Sequence, residues 1–191
     1  MTIISIVGTA GVGKSFLVKQ LSAMRCLPAF FEGEEGTIPK EILESIFSGE
    51  HPIKRWTWFI NRYKIFLEQA KKISAVGVDC LCDGSPLNAY AVLAYEDEAY
   101  RAELLMLANS IDYLEPDKTI LLIASEEKIR EFTKQRGRKV EKDDKAIERA
   151  MKIQDEYTRL AKERGLLIVN RTDLDFTKEK DLKFVWDEIR L

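Results

Sequence analysis

The chain has 191 residues, a length that fits one domain and suffices to bury a core of its own. Hydrophobic residues make up 46% and charged residues 32%, a globular composition rather than a disordered one. Its 30 basic and 32 acidic side chains leave a net charge of −2, which excludes an overall electrostatic footprint for nucleic acid or an anionic membrane and leaves only a local basic patch open.

In chain order, "TIISIV" (2–7) is short, β-branched and apolar on both faces, as a central parallel strand requires. A helix is predicted to start at "GTAGVGKS" (8–15) and run through "KSFLVKQLSAM" (14–24). "CLPAFFE" (26–32) reads as a second strand, and "PKEILESIF" (39–47) as a short helix with Pro39 near its first turn. "PIKRWTWFINRYKIFLEQAKKIS" (52–74) is a long helix. In it Trp56, Phe59, Ile60, Tyr63, Leu67 and Ala70 form one stripe, which suits either a core or a homodimer interface. His51 precedes this helix as a loop residue. "AVGVDCLC" (75–82) is predicted to be a strand ending at Asp83-Gly84-Ser85-Pro86, followed by one or two helices over 87–114.

"KTILLIA" (118–124) is the next strand, with Ser125 as cap for a helix over "EEKIREFTKQ" (126–135). After "RGRKVEKDD" (136–144) a helix runs to about Arg164, where Gly165 stops it. "LLIVN" (166–170) is the last strand, and "KEKDLKFVWDEIRL" (178–191) closes the chain as a helix. Strands alternating with helices predict an α/β fold, a doubly wound parallel sheet with helices on both faces. Ligands of such sheets bind beyond the carboxyl ends of the strands, and Gly8, Glu32, Asp83, Ser125 and Asn170 all fall there.

The three cysteines, Cys26, Cys80 and Cys82, are an odd count in a chain with no signal peptide and no long apolar span. They predict a reducing, cytoplasmic setting without membrane association. Cys80 and Cys82 share one strand face, and His51 is the only histidine, so buried, inert thiols are expected rather than a metal site.

"GTAGVGKS" has the G-x-x-x-x-G-K-S spacing of a phosphate-binding loop, between a strand and a helix. Gly8, Thr9, Ala10, Gly11, Val12, Gly13, Lys14, Ser15 and Phe16 are therefore assigned to nucleotide binding. Backbone N–H groups and the helix dipole meet the phosphates. Lys14 reaches the β and γ phosphates, and the Ser15 hydroxyl holds Mg²⁺. Asp83, ending an apolar strand, is placed at the same metal; the competing reading is a turn residue. Glu32 ends the second strand and is the preferred base for an attacking hydroxyl, ahead of Glu34 and Glu35. Arg136 and Arg138 flank Gly137 between two helices, which suits a lid around 133–143 whose guanidiniums face the transferring phosphoryl group. Arg62 is either a surface cation or a residue projecting toward Glu32.

Taken together and in this order, these segments resemble the deoxynucleoside kinases, with the thymidylate kinases as more distant relatives. The resemblance runs from "GTAGVGKS" through "FFEGEE", Arg62, "CDGSP", "PDKTILLIAS" and "QRGRKVE" to "LLIVN". It implies a single P-loop kinase domain over 1–191, of P-loop NTPase type with a small helical lid, that uses ATP and Mg²⁺. It also implies transfer of the γ-phosphoryl group to the 5′-hydroxyl of a deoxynucleoside, a small-molecule acceptor. By position, Glu32 resembles the family's base, Arg62 the arginine that holds base and substrate, and Asp83 the acid of an Asp/Glu-Arg-Ser motif. Arg136 and Arg138 resemble the lid arginines, Glu141 a lid carboxylate, and "DLDF" (173–176), with Asp175, the segment against the adenine. Three positions depart from the pattern: Gly84 stands where the motif has arginine, Arg55 where a glutamine reads the base, and Phe132 where a lid arginine is expected.

Two further readings stay open. A nucleoside monophosphate would need cations for its phosphate, which Arg55 and Arg62 could supply. A regulatory ATPase draws on "NRTD" (170–173), an imitation of the Asn-Lys-x-Asp guanine reader of GTPases, which is treated as accidental. A switch would also have no use for Glu32.

Overall fold

The structure, a computed structural model, describes residues 1–33, 37–48, 50–93, 98–112, 114–136 and 144–190. Its strands are β1 (Ile3–Val7), β2 (Ala29–Phe31), β3 (Cys80–Asp83), β4 (Lys118–Ile123) and β5 (Leu167–Asn170). All pair in parallel, in one sheet of order β2-β3-β1-β4-β5. The helices described are α1 (Lys14–Arg25), α2 (Lys40–Ser48), α3 (Pro52–Ala75), α4 (Leu87–Leu93), α5 (Glu98–Ser110), α6 (Glu126–Arg136), α7 (Asp144–Arg164) and α8 (Glu179–Arg190).

The sheet is covered on both faces, as its continuous apolar strands require. Alternate side chains of a strand point to opposite faces. Ile4, Ile6, Leu81, Ile120, Leu122 and Val169 meet Leu17, Val18 and Leu21 of α1 and Leu182, Val185 and Trp186 of α8. On the other face, Ile3, Cys80 and Cys82 pack on Tyr63, Phe66, Leu67 and Ala70 of α3. Val7 and Leu121 pack there on α4 and α7. Each aliphatic side chain buried this way contributes roughly 1.5–3 kcal/mol. The aromatic stripe of α3 is thus largely core, with Tyr63 1% exposed.

Two strands are shorter than the sequence suggests. Residues 26–28 are the turn that leaves α1 rather than strand: Cys26 adopts φ 53° as the C-cap of α1, and Leu27 N–H donates to the Ser22 carbonyl. The "AVGV" stretch likewise belongs to the end of α3 and its turn, where Val76 and Gly77 N–H groups donate to Ile73 and Ser74 carbonyls. Helix capping there overrides the β preference of valine.

Cys80 and Cys82 are fully buried, and burial pushes both thiols up from their ordinary range, whereas Cys26 is exposed. Thiol labelling of the native protein is therefore expected to modify Cys26 alone, with Cys80 and Cys82 reacting only on unfolding. Rapid native labelling of Cys82 would contradict this packing.

Register brings the functional ends together. Asp83 pairs with Ile6 on one side and Phe31 on the other, so β1, β2 and β3 finish level. The residues that follow, Gly8, Glu32 and Gly84, therefore share one rim of the sheet.

Candidate active site

The phosphate loop joins β1 to α1, whose N-cap Gly13 sits at φ 93°, a left-handed conformation that glycine adopts without strain. Val12 is buried in the core, so it offers only its backbone to a ligand, and Phe16 is 40% exposed on α1. Lys14 Nζ donates to the Thr9 carbonyl at 3.2 Å, folding the ammonium across the loop. Thr9 is buried, and its hydroxyl has no hydrogen-bond partner among the described residues. An unmatched donor inside a nest of N–H groups fits a polyphosphate as the missing partner.

Ser15 and Asp83 meet directly: the hydroxyl donates to Asp83 Oδ2 at 2.6 Å, across 68 residues of sequence. A hydroxyl and a buried carboxylate at the start of a helix fit Mg²⁺, which takes few protein ligands and completes its shell with phosphate oxygens and water. No group of three or more His, Cys, Asp or Glu side chains able to hold a metal alone occurs among the described residues.

Glu32 lies one residue beyond β2, and its carboxylate turns over the rim of β3 rather than into solvent. Its Oε2 accepts from the Tyr63 hydroxyl at 2.6 Å and from Asn88 Nδ2 at 3.1 Å. Asn88 Nδ2 also donates to the Tyr63 oxygen at 2.9 Å, and the Tyr157 hydroxyl donates to Asn88 Oδ1 at 2.7 Å. All three supporting residues are at most 5% exposed. Burial and the nearby Glu32 charge hold both tyrosines well above the usual phenol range, so they remain O–H donors. Tyr157 thereby fixes which way the Asn88 amide faces, and Asn88 and Tyr63 fix the carboxylate.

Gly84 makes this arrangement possible. A Cβ there would lie 2.9 Å from Glu32 Oε2 and 2.8 Å from Asn88 Nδ2. The missing side chain is thus replaced by the glutamate itself, held by neutral donors. Tyr63→Phe should cut turnover roughly tenfold through the lost hydrogen bond, with donor KM nearly unchanged. An unaffected kcat in a steady-state assay would remove Tyr63 from any part in placing Glu32.

Arg62 projects toward the same rim: its Nη2 reaches the Phe31 carbonyl at 3.5 Å, and its buried Nε has no partner among the described residues. Arg55 does not reach out in this way. It is 5% exposed and donates through Nη1 to the Ser45 carbonyl at 2.8 Å, tying α3 to α2. Asp175 is also engaged locally. Its carboxylate accepts from Thr177 N–H at 3.0 Å and Thr177 Oγ1 at 2.7 Å, and these bonds lower its pKa. Asn170 Oδ1 accepts from Thr172 N–H and Oγ1, so this side chain caps its own loop. Ser125 caps α6 as expected, accepting from Lys128 N–H at 3.3 Å.

Arg138, Gly137, Glu141, Glu34 and Glu35 lie outside the described residues, as does the side chain of Arg136. Of the lid expected at 133–143, the structure describes the end of α6.

Sequence reasoning missed Tyr63, Asn88 and Tyr157 as the residues around Glu32, and also Arg171. The Arg171 side chain, 5% exposed, donates to the Val12 carbonyl of the phosphate loop at 2.9 Å.

No family model matches the sequence, and no curated protein matches it either. Solved structures match its fold. A deoxyadenosine kinase from M. mycoides, with products dCMP and dCDP bound, superposes with TM-score 0.76 at 18% identity, covering 98% of both chains. A thymidylate kinase from Candida albicans gives TM-score 0.71 at 17% identity over 99% of this chain and 91% of that one. A thymidylate kinase from Ehrlichia chaffeensis gives 0.60 at 15% identity over 100% and 98%. The chain has the deoxynucleoside kinase-like P-loop fold, over nearly its whole length.

Proposed function

We propose that the protein is an ATP-dependent kinase that transfers the γ-phosphoryl group to the hydroxyl of a small molecule, the 5′-hydroxyl of a deoxynucleoside. One observation carries this reading: the Ser15–Asp83 pair and the Glu32 carboxylate stand side by side at the end of β3, linked through Gly84. Donor side and acceptor side are thus adjacent, as phosphoryl transfer between two bound molecules requires. Structural neighbours described as a deoxyadenosine kinase with dATP bound and as thymidylate kinases add support.

In this mechanism Glu32 orients the acceptor hydroxyl and takes its proton as the new O–P bond forms and the bond to the leaving diphosphate breaks. The loop from Gly8 to Ser15 holds the phosphates, with Lys14, Arg136 and Arg138 offsetting charge on the transferring group. Ser15 and Asp83 would hold Mg²⁺, which supplies neutralisation of phosphate charge when bound. Arg62 holds Glu32 and substrate, and the "DLDF" loop with Asp175 borders the donor base. The whole chain is one kinase domain with its lid around 133–143, working in the cytoplasm. Among the described residues, no helix is long and apolar enough to cross a membrane.

A second reading, a nucleoside monophosphate kinase, draws on Arg62 Nε, which has no partner among the described residues and which an acceptor phosphate would satisfy. The burial of Arg55 against Ser45 favours the uncharged acceptor. A transfer screen decides, with ATP and GTP as donors and nucleosides, nucleoside monophosphates and unrelated alcohols as acceptors. Deoxynucleoside 5′-monophosphates are the expected products. Diphosphates from monophosphates would establish the second reading, and ATP turnover indifferent to every acceptor would sink both.

A further inference from the structure

Arg171 follows β5, and its backbone N–H donates to the Ile123 carbonyl at 2.9 Å, which fixes it at the end of β4. From there the side chain crosses to the phosphate loop, 159 residues earlier in the chain, and Nη1 donates to the Val12 carbonyl at 2.9 Å. The approach is close: a Cβ on Gly13 would lie 1.7 Å from Nη1. The guanidinium carbon lies 3.9 Å from the Phe132 ring centre and 4.2 Å from that of Phe176. Nε is buried and has no hydrogen-bond partner among the described residues.

A buried cation normally has a carboxylate against it. Asp175 and Glu131 act on Arg171 only through space, and among the described residues neither forms an ion pair with it. Burial pulls the guanidinium down to about 10, which leaves it charged at neutral pH. The aromatic rings hold it in place without neutralising it. It therefore faces the loop as a positive charge with no ion-paired carboxylate among the described residues.

We propose that Arg171 is a positioning residue for the donor's polyphosphate, pinning the Val12–Gly13 peptide and setting a fixed positive charge behind the phosphate loop. The inference rests on the reading of residues 8–15 as a phosphate site. A trans peptide directs its C=O and N–H oppositely, and no cis peptide occurs in the described backbone. Holding the Val12 oxygen outward therefore turns the Gly13 N–H inward, toward the phosphates. The ligand chemistry selected is a magnesium-bound tri- or polyphosphate, whatever base it carries.

The test measures equilibrium binding of MgATP, MgGTP and magnesium tripolyphosphate to the wild type, Arg171→Met and Arg171→Lys, with unfolding midpoints of the free proteins alongside. Arg171→Met should weaken all three ligands by roughly ten- to hundredfold, the worth of one hydrogen bond to a charged group. Arg171→Lys should recover part of the loss, and in turnover donor KM should rise while acceptor KM holds. Unchanged tripolyphosphate affinity in a folded Met variant overturns the inference, as does a loss confined to ATP, which would place Arg171 at the base. If the Met variant does not fold, the Lys variant decides: full affinity overturns the proposal and a partial, base-independent loss upholds it. A wild type that binds none of the three ligands overturns the phosphate-site reading itself, and the inference with it.

Discussion

Glu32→Gln is expected to lower phosphoryl transfer by about 10²–10⁴-fold, the usual worth of a positioned general base, while MgATP affinity stays within about twofold. The substitution is nearly isosteric and keeps an amide oxygen to accept from Tyr63, so the fold and the phosphate loop should be undisturbed. What is lost is the capacity to take a proton. The arrangement around Glu32 sharpens the expectation. One carboxylate oxygen, Oε2, receives both Tyr63 and Asn88, so the group is anchored through a single atom. Coupled assays of product formation, with donor binding measured separately, separate the two effects. Full turnover in the Gln variant would move the base to another carboxylate and detach the rim of β3 from the chemistry.

How much of this was readable beforehand depended on the distance over which each signal acts. The phosphate loop is a local pattern of glycines, lysine and serine, and its place between β1 and α1 follows from one apolar run. Glu32 and Asp83 were visible because they end strands, and parallel strands finish level. The helical spacing of Tyr63 predicts a core position, and its ring is core. Periodicity reports where a side chain points but not what its hydroxyl meets, so the bond to Glu32 left no trace. Asn88 and Tyr157 lie 69 positions apart, and no spacing rule links them.

Arg55 is the converse case. Its place where the kinase pattern has a base-reading glutamine offers it, with Arg62, as a cation for an acceptor phosphate, yet its guanidinium donates to the Ser45 carbonyl on a neighbouring helix. In the sequence, Arg171 stands out only as the second residue of "NRTD". The structure separates that motif into parts: Asn170 caps its own loop, while Arg171 reaches the phosphate loop. The contact was invisible because it needs β1, β4 and β5 already side by side.

Gly84→Ala is the second large effect, because it tests whether the departure from the Asp/Glu-Arg-Ser pattern is a loss or a rebuilt site. Gly84 adopts φ +96°, and a Cβ would crowd Asn88 Nδ2 at 2.8 Å, Glu32 Oε2 at 2.9 Å and Tyr63 Cε1 at 3.0 Å. Gly77 provides the control, since it has the same φ of +96° with nothing within 4 Å of the added carbon. Both alanine variants carry backbone strain of about 1–3 kcal/mol. Only the variant at 84 also displaces the carboxylate, Asn88 or Tyr63, at a further cost of about 1–3 kcal/mol from overpacking. Denaturant unfolding should therefore rank the wild type above Gly77→Ala and both above Gly84→Ala. Turnover should fall only in Gly84→Ala, by roughly one to two orders of magnitude, since a misplaced base loses much of its general-base contribution. Gly84→Arg, which installs the arginine of the Asp/Glu-Arg-Ser pattern that the chain resembles, should be worse still, because the cation would enter space that Glu32 already fills. An active Gly84→Arg enzyme would mean that the carboxylate can leave Tyr63 and Asn88 freely and that these neutral donors do not hold the base.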